Sequence, residues 1–206
     1  MTILVTGFEP FDGLAENPSQ AIVDALARRP TADRRAELVT HILPCEFGAA
    51  GERIVTLIRE LRPQAVVSVG LAASASAIRL ERHALNLNDS LRPDNGGDLA
   101  TGRSIDPNGP IGYWSTLPLD TMLHALTERD IPATISNHAG AYVCNHVFYT
   151  ARREIERLGW ETPCGFIHVP LMAEQGITPP APGASLPLAT MVDAVECCLS
   201  VLDDTH

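Results

Sequence analysis

Short apolar runs alternate with amphipathic stretches along most of this chain, and that alternation restricts the fold more than any other feature. Residues 3–6 are followed by 18–28, 37–43 by 49–61, and 64–69 by 78–85. After Pro118 the order resumes with a helical pattern to Glu128, a strand over 133–136, a helix over 143–158, a strand over 164–169 and a last helix over 187–202. Strands and helices in turn predict a mostly parallel, twisted sheet covered by helices on both faces, a three-layer α/β/α arrangement. Ligands of such sheets bind beyond the carboxyl ends of the strands. With no break in composition and enough length for one large core, residues 1–206 read as a single domain.

Local signals support these boundaries. Asn17-Pro18 combines a side chain that caps a helix with a proline at the first helical position, where the missing N–H costs nothing. Residues 86–112 are rich in Asn, Asp, Gly and Pro and lack apolar periodicity, as do residues 176–187. Loops this long in a compact domain are usually lids or binding loops. Neither an internal repeat nor a low-complexity tract is present.

The formal charge of -10 argues against nucleic acid or an anionic membrane surface, because both reward clustered Lys and Arg. A small uncharged ligand or a peptide fits better. The apolar stretches are interrupted before membrane-spanning length, and the opening Met1-Thr2-Ile3-Leu4-Val5 enters a strand without a basic, then apolar, leader. The cysteines Cys45, Cys144, Cys164, Cys197 and Cys198 are odd in number and lack paired metal spacing. A reducing cytoplasm, where a reactive thiol survives, is the expected compartment, and no metal is expected.

Three separated residues supply the parts of a thiol hydrolase. Cys144 opens the stripe Val143, Val147, Ala151, Ile155, Leu158 and so falls in the first turn of a helix, where N–H groups and the dipole favour thiolate and can hold an oxyanion. The competing reading is a buried small hydrophobe. His168 ends the run Phe166-Ile167-His168-Val169-Pro170, at the carboxyl end of a strand, where an imidazole can serve as base and then acid. A histidine merely hydrogen-bonded at the sheet edge is the alternative, and His41, His83, His124, His138, His146 and His206 compete for the role; His146 points away from Cys144 on a helix. Glu81 lies in the strand-like run 78–85, where a carboxylate must be paired. It either orients the imidazole or forms an ion pair with Arg79 or Arg82.

The segment Thr6-Gly7-Phe8-Glu9-Pro10-Phe11-Asp12-Gly13 follows the first strand but fits neither common phosphate-loop pattern. Phe8 and Phe11 there suggest the wall of an apolar pocket, or else a staple of the core. Cys197-Cys198 sits among Val195, Leu199 and Leu202 and reads as core packing.

Together these segments resemble the pyroglutamyl peptidase I (pyrrolidone-carboxylate peptidase) family of cysteine peptidases over nearly the whole chain. The matching segments are Leu4-Val5-Thr6-Gly7-Phe8-Glu9-Pro10-Phe11, Asn17-Pro18-Ser19, Glu81-Arg82-His83-Ala84-Leu85-Asn86, Pro93-Asp94-Asn95, Ser136-Asn137 with Ala139-Gly140, Val143-Cys144-Asn145-His146, and Gly165 to Pro170 with Glu174-Gln175, all in family order. The resemblance implies Cys144 as nucleophile, His168 as general acid/base and Glu81 as the group orienting it. It implies Phe11 in the pocket for the pyrrolidone ring and Asn17 shaping the loop beneath it; Phe8, from the aromatic pair, and Leu71, in the substrate-side loop, are expected to bind substrate as well. The implied activity is cofactor-free removal of amino-terminal pyroglutamate from peptides by a cytoplasmic homo-oligomer, a dimer or tetramer.

The chain departs from the family pattern at three places. Gly-Gln-Ala-Gly-Gly-Arg of the family is here Gly70-Leu71-Ala72-Ala73-Ser74-Ala75, so a polar substrate-side loop has become apolar. The arginine of Asp-Ala-Arg-Ile-Pro-Asp-Asn is replaced by Leu91, with Arg92 one position later, and Pro-Phe-Gly-Gly is Pro10-Phe11-Asp12-Gly13. These changes spare the three catalytic positions and bear on substrate affinity and oxyanion stabilisation, where one lost donor costs roughly a hundredfold in rate. The alternatives are a weak or inactive peptide-binding relative, a hydrolase retuned to another acyl group, and a phosphorylase-type transferase, for which no phosphate-binding pattern is visible.

Overall fold

The computed structural model describes residues 1–29, 36–180 and 183–203; His206 and part of the 176–187 stretch lie outside them. In chain order the first half contains β1 (Thr2–Phe8), α1 (Pro18–Arg28), β2 (Glu37–Leu43), α2 (Phe47–Leu61), β3 (Ala65–Leu71), β4 (Ile78–Glu81) and β5 (His83–Leu85). The second half contains β6 (Gly112–Trp114), α3 (Leu119–Thr127), β7 (Ala133–Ser136), α4 (Val143–Arg157), β8 (Cys164–Val169), β9 (Leu171–Met172), β10 (Ser185–Leu186) and α5 (Leu188–Asp203).

Six strands form one sheet in the order β2-β1-β3-β8-β4-β7. The pairs β2/β1, β1/β3 and β3/β8 are parallel, β8/β4 is antiparallel, and β4/β7 is parallel. Alternation along the strands divides the core in two. Ile3, Val5, Val67, Val69, Ile167 and Leu80 pack against α1, α3 and α5, whereas Leu4, Phe8, Val66 and Phe166 pack against α2 and α4. The result is the expected three-layer α/β/α sandwich.

Most boundaries fall where the local chemistry places them. Asn17 Oδ1 accepts the Ser19 N–H at 3.0 Å and Pro18 opens α1, whose Ile22, Val23 and Leu26 are buried. The amphipathic place assigned to residues 78–85 is a correction: they form β4 and β5, in two different sheets. Only residues 72–77 separate β3 from β4, far fewer than a parallel crossover requires, so β4 must return antiparallel. The later strand β8 then inserts between them.

The long 86–111 segment is held to the body at many points. Asn145, fully buried at the start of α4, accepts the Leu85 N–H through Oδ1 and donates through Nδ2 to the Leu85 and Leu87 carbonyls. Asp94 Oδ2 accepts the Phe47 N–H at 2.8 Å and so caps α2 from a distant loop.

Candidate active site

At the carboxyl ends of β1, β3 and β8, on the face covered by α2 and α4, lies a cavity of about 290 Å³. Cys144, His168, Glu81, Phe8, Phe11, Asn17 and Leu71 all line it. Each of these residues, named from the sequence, thus meets the others at one place. Leucine 91 and the competing histidines other than His138 are not among its lining residues.

His168 and Glu81 are brought together by register. In the antiparallel β8/β4 pair, Arg79 faces His168 and Glu81 faces Phe166, so residues two apart on each strand share the cavity face. The diagonal puts Glu81 Oε1 2.8 Å from His168 Nδ1, with the two side chains 1% and 8% exposed. The carboxylate accepts the Nδ1–H and leaves Nε2 for other partners. Neither Arg79 nor Arg82 forms the ion pair the sequence left open; Arg82 donates to Asn137 Oδ1 instead.

Cys144 is the second residue of α4, as the apolar stripe requires. Its sulfur reaches the sheet because residue 70 is glycine: a Cβ there would lie 2.8 Å from Sγ and 2.7 Å from the Phe166 ring. Gly70 is in register with His168, so the strand position beneath the sulfur lies directly beside the one that carries the imidazole. Burial pushes the Cys144 thiol well above its ordinary range, and the nearby Cys45 and Glu81 push the same way. Desolvation thus acts against the thiolate that the helix end favours. Cys45, beside it in the cavity, is likewise pushed up to about 12 by burial.

The amino end of α4 is open to this chemistry. Tyr142 precedes the helix in extended conformation and supplies no side-chain cap, whereas α1 is capped by Asn17. The first-turn N–H groups of α4 accordingly have no side-chain partner from the cap position. Asn17 is spent on structure, with Oδ1 also accepting the Ser19 hydroxyl and Nδ2 donating to the Glu9 carbonyl at 2.9 Å. It holds the β1–α1 loop that carries Phe11, whose ring lies 6.0 Å from that of Tyr142.

Two departures from the family pattern meet here. Asp12, in the left-handed region at φ 55, forms an ion pair with Arg92 and ties the β1–α1 loop to the long loop. Leu91 is fully exposed, and the arginine that follows it is matched by the Asp12 carboxylate. Sequence reasoning did not identify Tyr142, Cys45, His138 or Arg79 as cavity residues. For Arg79 the signal was present, since it stands two residues before Glu81 in a strand.

Among the described residues no group of three His, Cys, Asp or Glu is arranged to hold a metal. No helix among them is long and apolar enough to cross a membrane.

Comparison with known proteins matches residues 1–204 to the pyroglutamyl peptidase family. The pyrrolidone-carboxylate peptidase of Thermococcus onnurineus is 42% identical over 95% of this chain and 96% of its own length. That of Oceanobacillus iheyensis is 40% identical over 98% of both chains. A mutant pyrrolidone carboxyl peptidase from the hyperthermophile Pyrococcus furiosus superimposes with a TM-score of 0.90 at 38% identity, covering 98% of this chain and 97% of the other. The chain belongs to the pyroglutamyl peptidase family.

Proposed function

We propose that this protein is a cofactor-independent cysteine peptidase that removes amino-terminal pyroglutamate from peptides, with Cys144 as nucleophile, His168 as general acid/base and Glu81 orienting the imidazole. The observation that carries this reading is the buried 2.8 Å contact between Glu81 and His168 inside the cavity that also holds Cys144. With Nδ1–H given to Glu81, Nε2 takes the proton from Cys144 as sulfur attacks the carbonyl between pyroglutamate and the next residue. Free N–H groups at the start of α4 hold the oxyanion. His168 then gives its proton to the departing amine, and water, activated by the same imidazole, hydrolyses the thioester.

Phe8, Phe11 and Leu71 give the acyl side an apolar wall suited to a neutral lactam, while Asn17 keeps the Phe11 loop in place. A charged amino terminus would lose its hydration in such a pocket without gaining a counter-charge, which disfavours ordinary peptides. The protein works in the cytoplasm as a homo-oligomer, a dimer or tetramer; the family resemblance and the exposed Leu91, Ile111 and Trp114 support assembly.

Release of coumarin from a pyroglutamyl-coumarin substrate tests the reaction. Wild type should turn over, Cys144→Ser should fall to background, and Glu81→Gln should lose about a hundredfold or more in kcat. Equal rates for wild type and Cys144→Ser at high enzyme concentration would end the proposal.

A further inference from the structure

The cavity has two sides that follow the strand order. Phe8 of β1 and Leu71 of β3 lie on one side of the sulfur, and His168 of β8 comes next. Beyond it stands Arg79 of β4, followed by His138 and Gly140 after β7. If the acyl group occupies the apolar side, the departing amine must lie at His168, and the remainder of the peptide must extend toward β4 and β7.

Arg79 is the one arginine on that wall. It is half-buried, directly opposite His168 in register, and shares its strand face with Glu81. Among the described residues Arg79 has no ion-pair partner: Glu81 gives Oε1 to the imidazole, and its buried Oε2 forms no hydrogen bond with the guanidinium. A half-buried guanidinium that forms no direct ion pair keeps its donors free, and a planar fork of donors suits a carboxylate.

We infer that Arg79 is a specificity-determining residue that binds a carboxylate on the leaving side of the substrate, favouring peptides with an anionic group immediately after the pyroglutamyl residue. This rests on the peptidase reading above. The carboxylate has two chemical sources: the side chain of an acidic residue following pyroglutamate, or the carboxyl terminus of a pyroglutamyl dipeptide. Both approach the same guanidinium, and the bidentate pair they form strengthens binding by the charge-assisted hydrogen bonds that an amide in the same place cannot match.

The test compares kcat/KM within each enzyme, so any general loss in a variant cancels. Wild type, Arg79→Gln and Arg79→Lys are given pyroglutamyl-Glu-amide against pyroglutamyl-Gln-amide, and pyroglutamyl-Ala against pyroglutamyl-Ala-amide. Wild type should prefer the anionic member of at least one pair by about tenfold. The first pair reports a side-chain carboxylate and the second a terminal one. The preference should vanish in Arg79→Gln and return in part in Arg79→Lys. Equal turnover of both members of both pairs by wild type, or a preference that survives in Arg79→Gln, would overturn the inference while leaving the peptidase intact. Failure of wild type to cleave any of the four peptides, or the pyroglutamyl-coumarin substrate, would remove the peptidase reading and this inference with it.

Discussion

At the scale of single residues, the state of the Cys144 proton decides how the chemistry starts. Burial pushes the thiol up, and on the proposed mechanism this predicts a protonated resting sulfur at neutral pH that becomes nucleophilic as His168 removes its proton. The helix end still contributes, but to the oxyanion more than to the resting sulfur. Alkylation by iodoacetamide reads this directly. Because the thiolate fraction limits the rate, inactivation should rise about tenfold per pH unit from about pH 6 to about pH 9, with no plateau in between. A plateau beginning below about pH 8 would mean a resting thiolate–imidazolium pair and would contradict the effect of burial. The other cysteines, all buried, should react far more slowly, and Cys144→Ser should take up no label in the same interval.

At the scale of elements, the site depends on how closely α2 and α4 approach. Gly51 of α2 faces His146 of α4, and a Cβ at Gly51 would lie 2.5 Å from the imidazole Nε2. That ring cannot swing aside freely, since Nδ1 is bonded to Asn88 Oδ1 at 3.1 Å and the ring packs edge-on to Phe47. In an open helix Gly→Ala gains about 1 kcal/mol of propensity, but overpacking a filled contact costs about 1–3 kcal/mol. Gly51→Ala should therefore lower Tm by a few degrees in a thermal melt and shift α4, with Cys144 at its start, away from the sheet. An unchanged or raised Tm would show that the interface has slack. The same elements show what sequence reveals and what it does not. The stripe of α4, the strand 164–169 and the Asn17 cap are local patterns and were legible. The antiparallel course of β4 comes from a short connection and a later strand inserted beside it, and the true start of α2 comes from Asp94 reaching in from a loop. Both are long-range facts with no local signature. The triad types could be named from three segments, but the pairing of Glu81 with His168 rather than an arginine depends on a register that periodicity alone leaves open.

At the scale of the whole molecule, the half-buried histidine between α2 and α4 links stability to pH. Burial, aided by the charge of Arg103, holds His146 down to about 4, against an ordinary value of 6.5 in the unfolded chain. Below pH 6.5 the unfolded state gains a proton that the folded state refuses, so stability falls as pH drops and the loss is complete near pH 4. That interval corresponds to a loss on the order of 3 kcal/mol, a large share of the total for a typical domain. His41, also lowered by burial, acts in the same direction. The formal charge of -10 acts against both, since protonating carboxylates relieves self-repulsion as the pH falls. The two effects can be separated by a substitution that keeps a polar amide in place of the imidazole but cannot titrate. Thermal melts of wild type and His146→Gln across about pH 7 to about pH 4.5 should show wild type losing several degrees more than the variant. Parallel curves would mean that the imidazole accepts its proton without opening the α2–α4 interface, and that acid sensitivity belongs to the carboxylates alone.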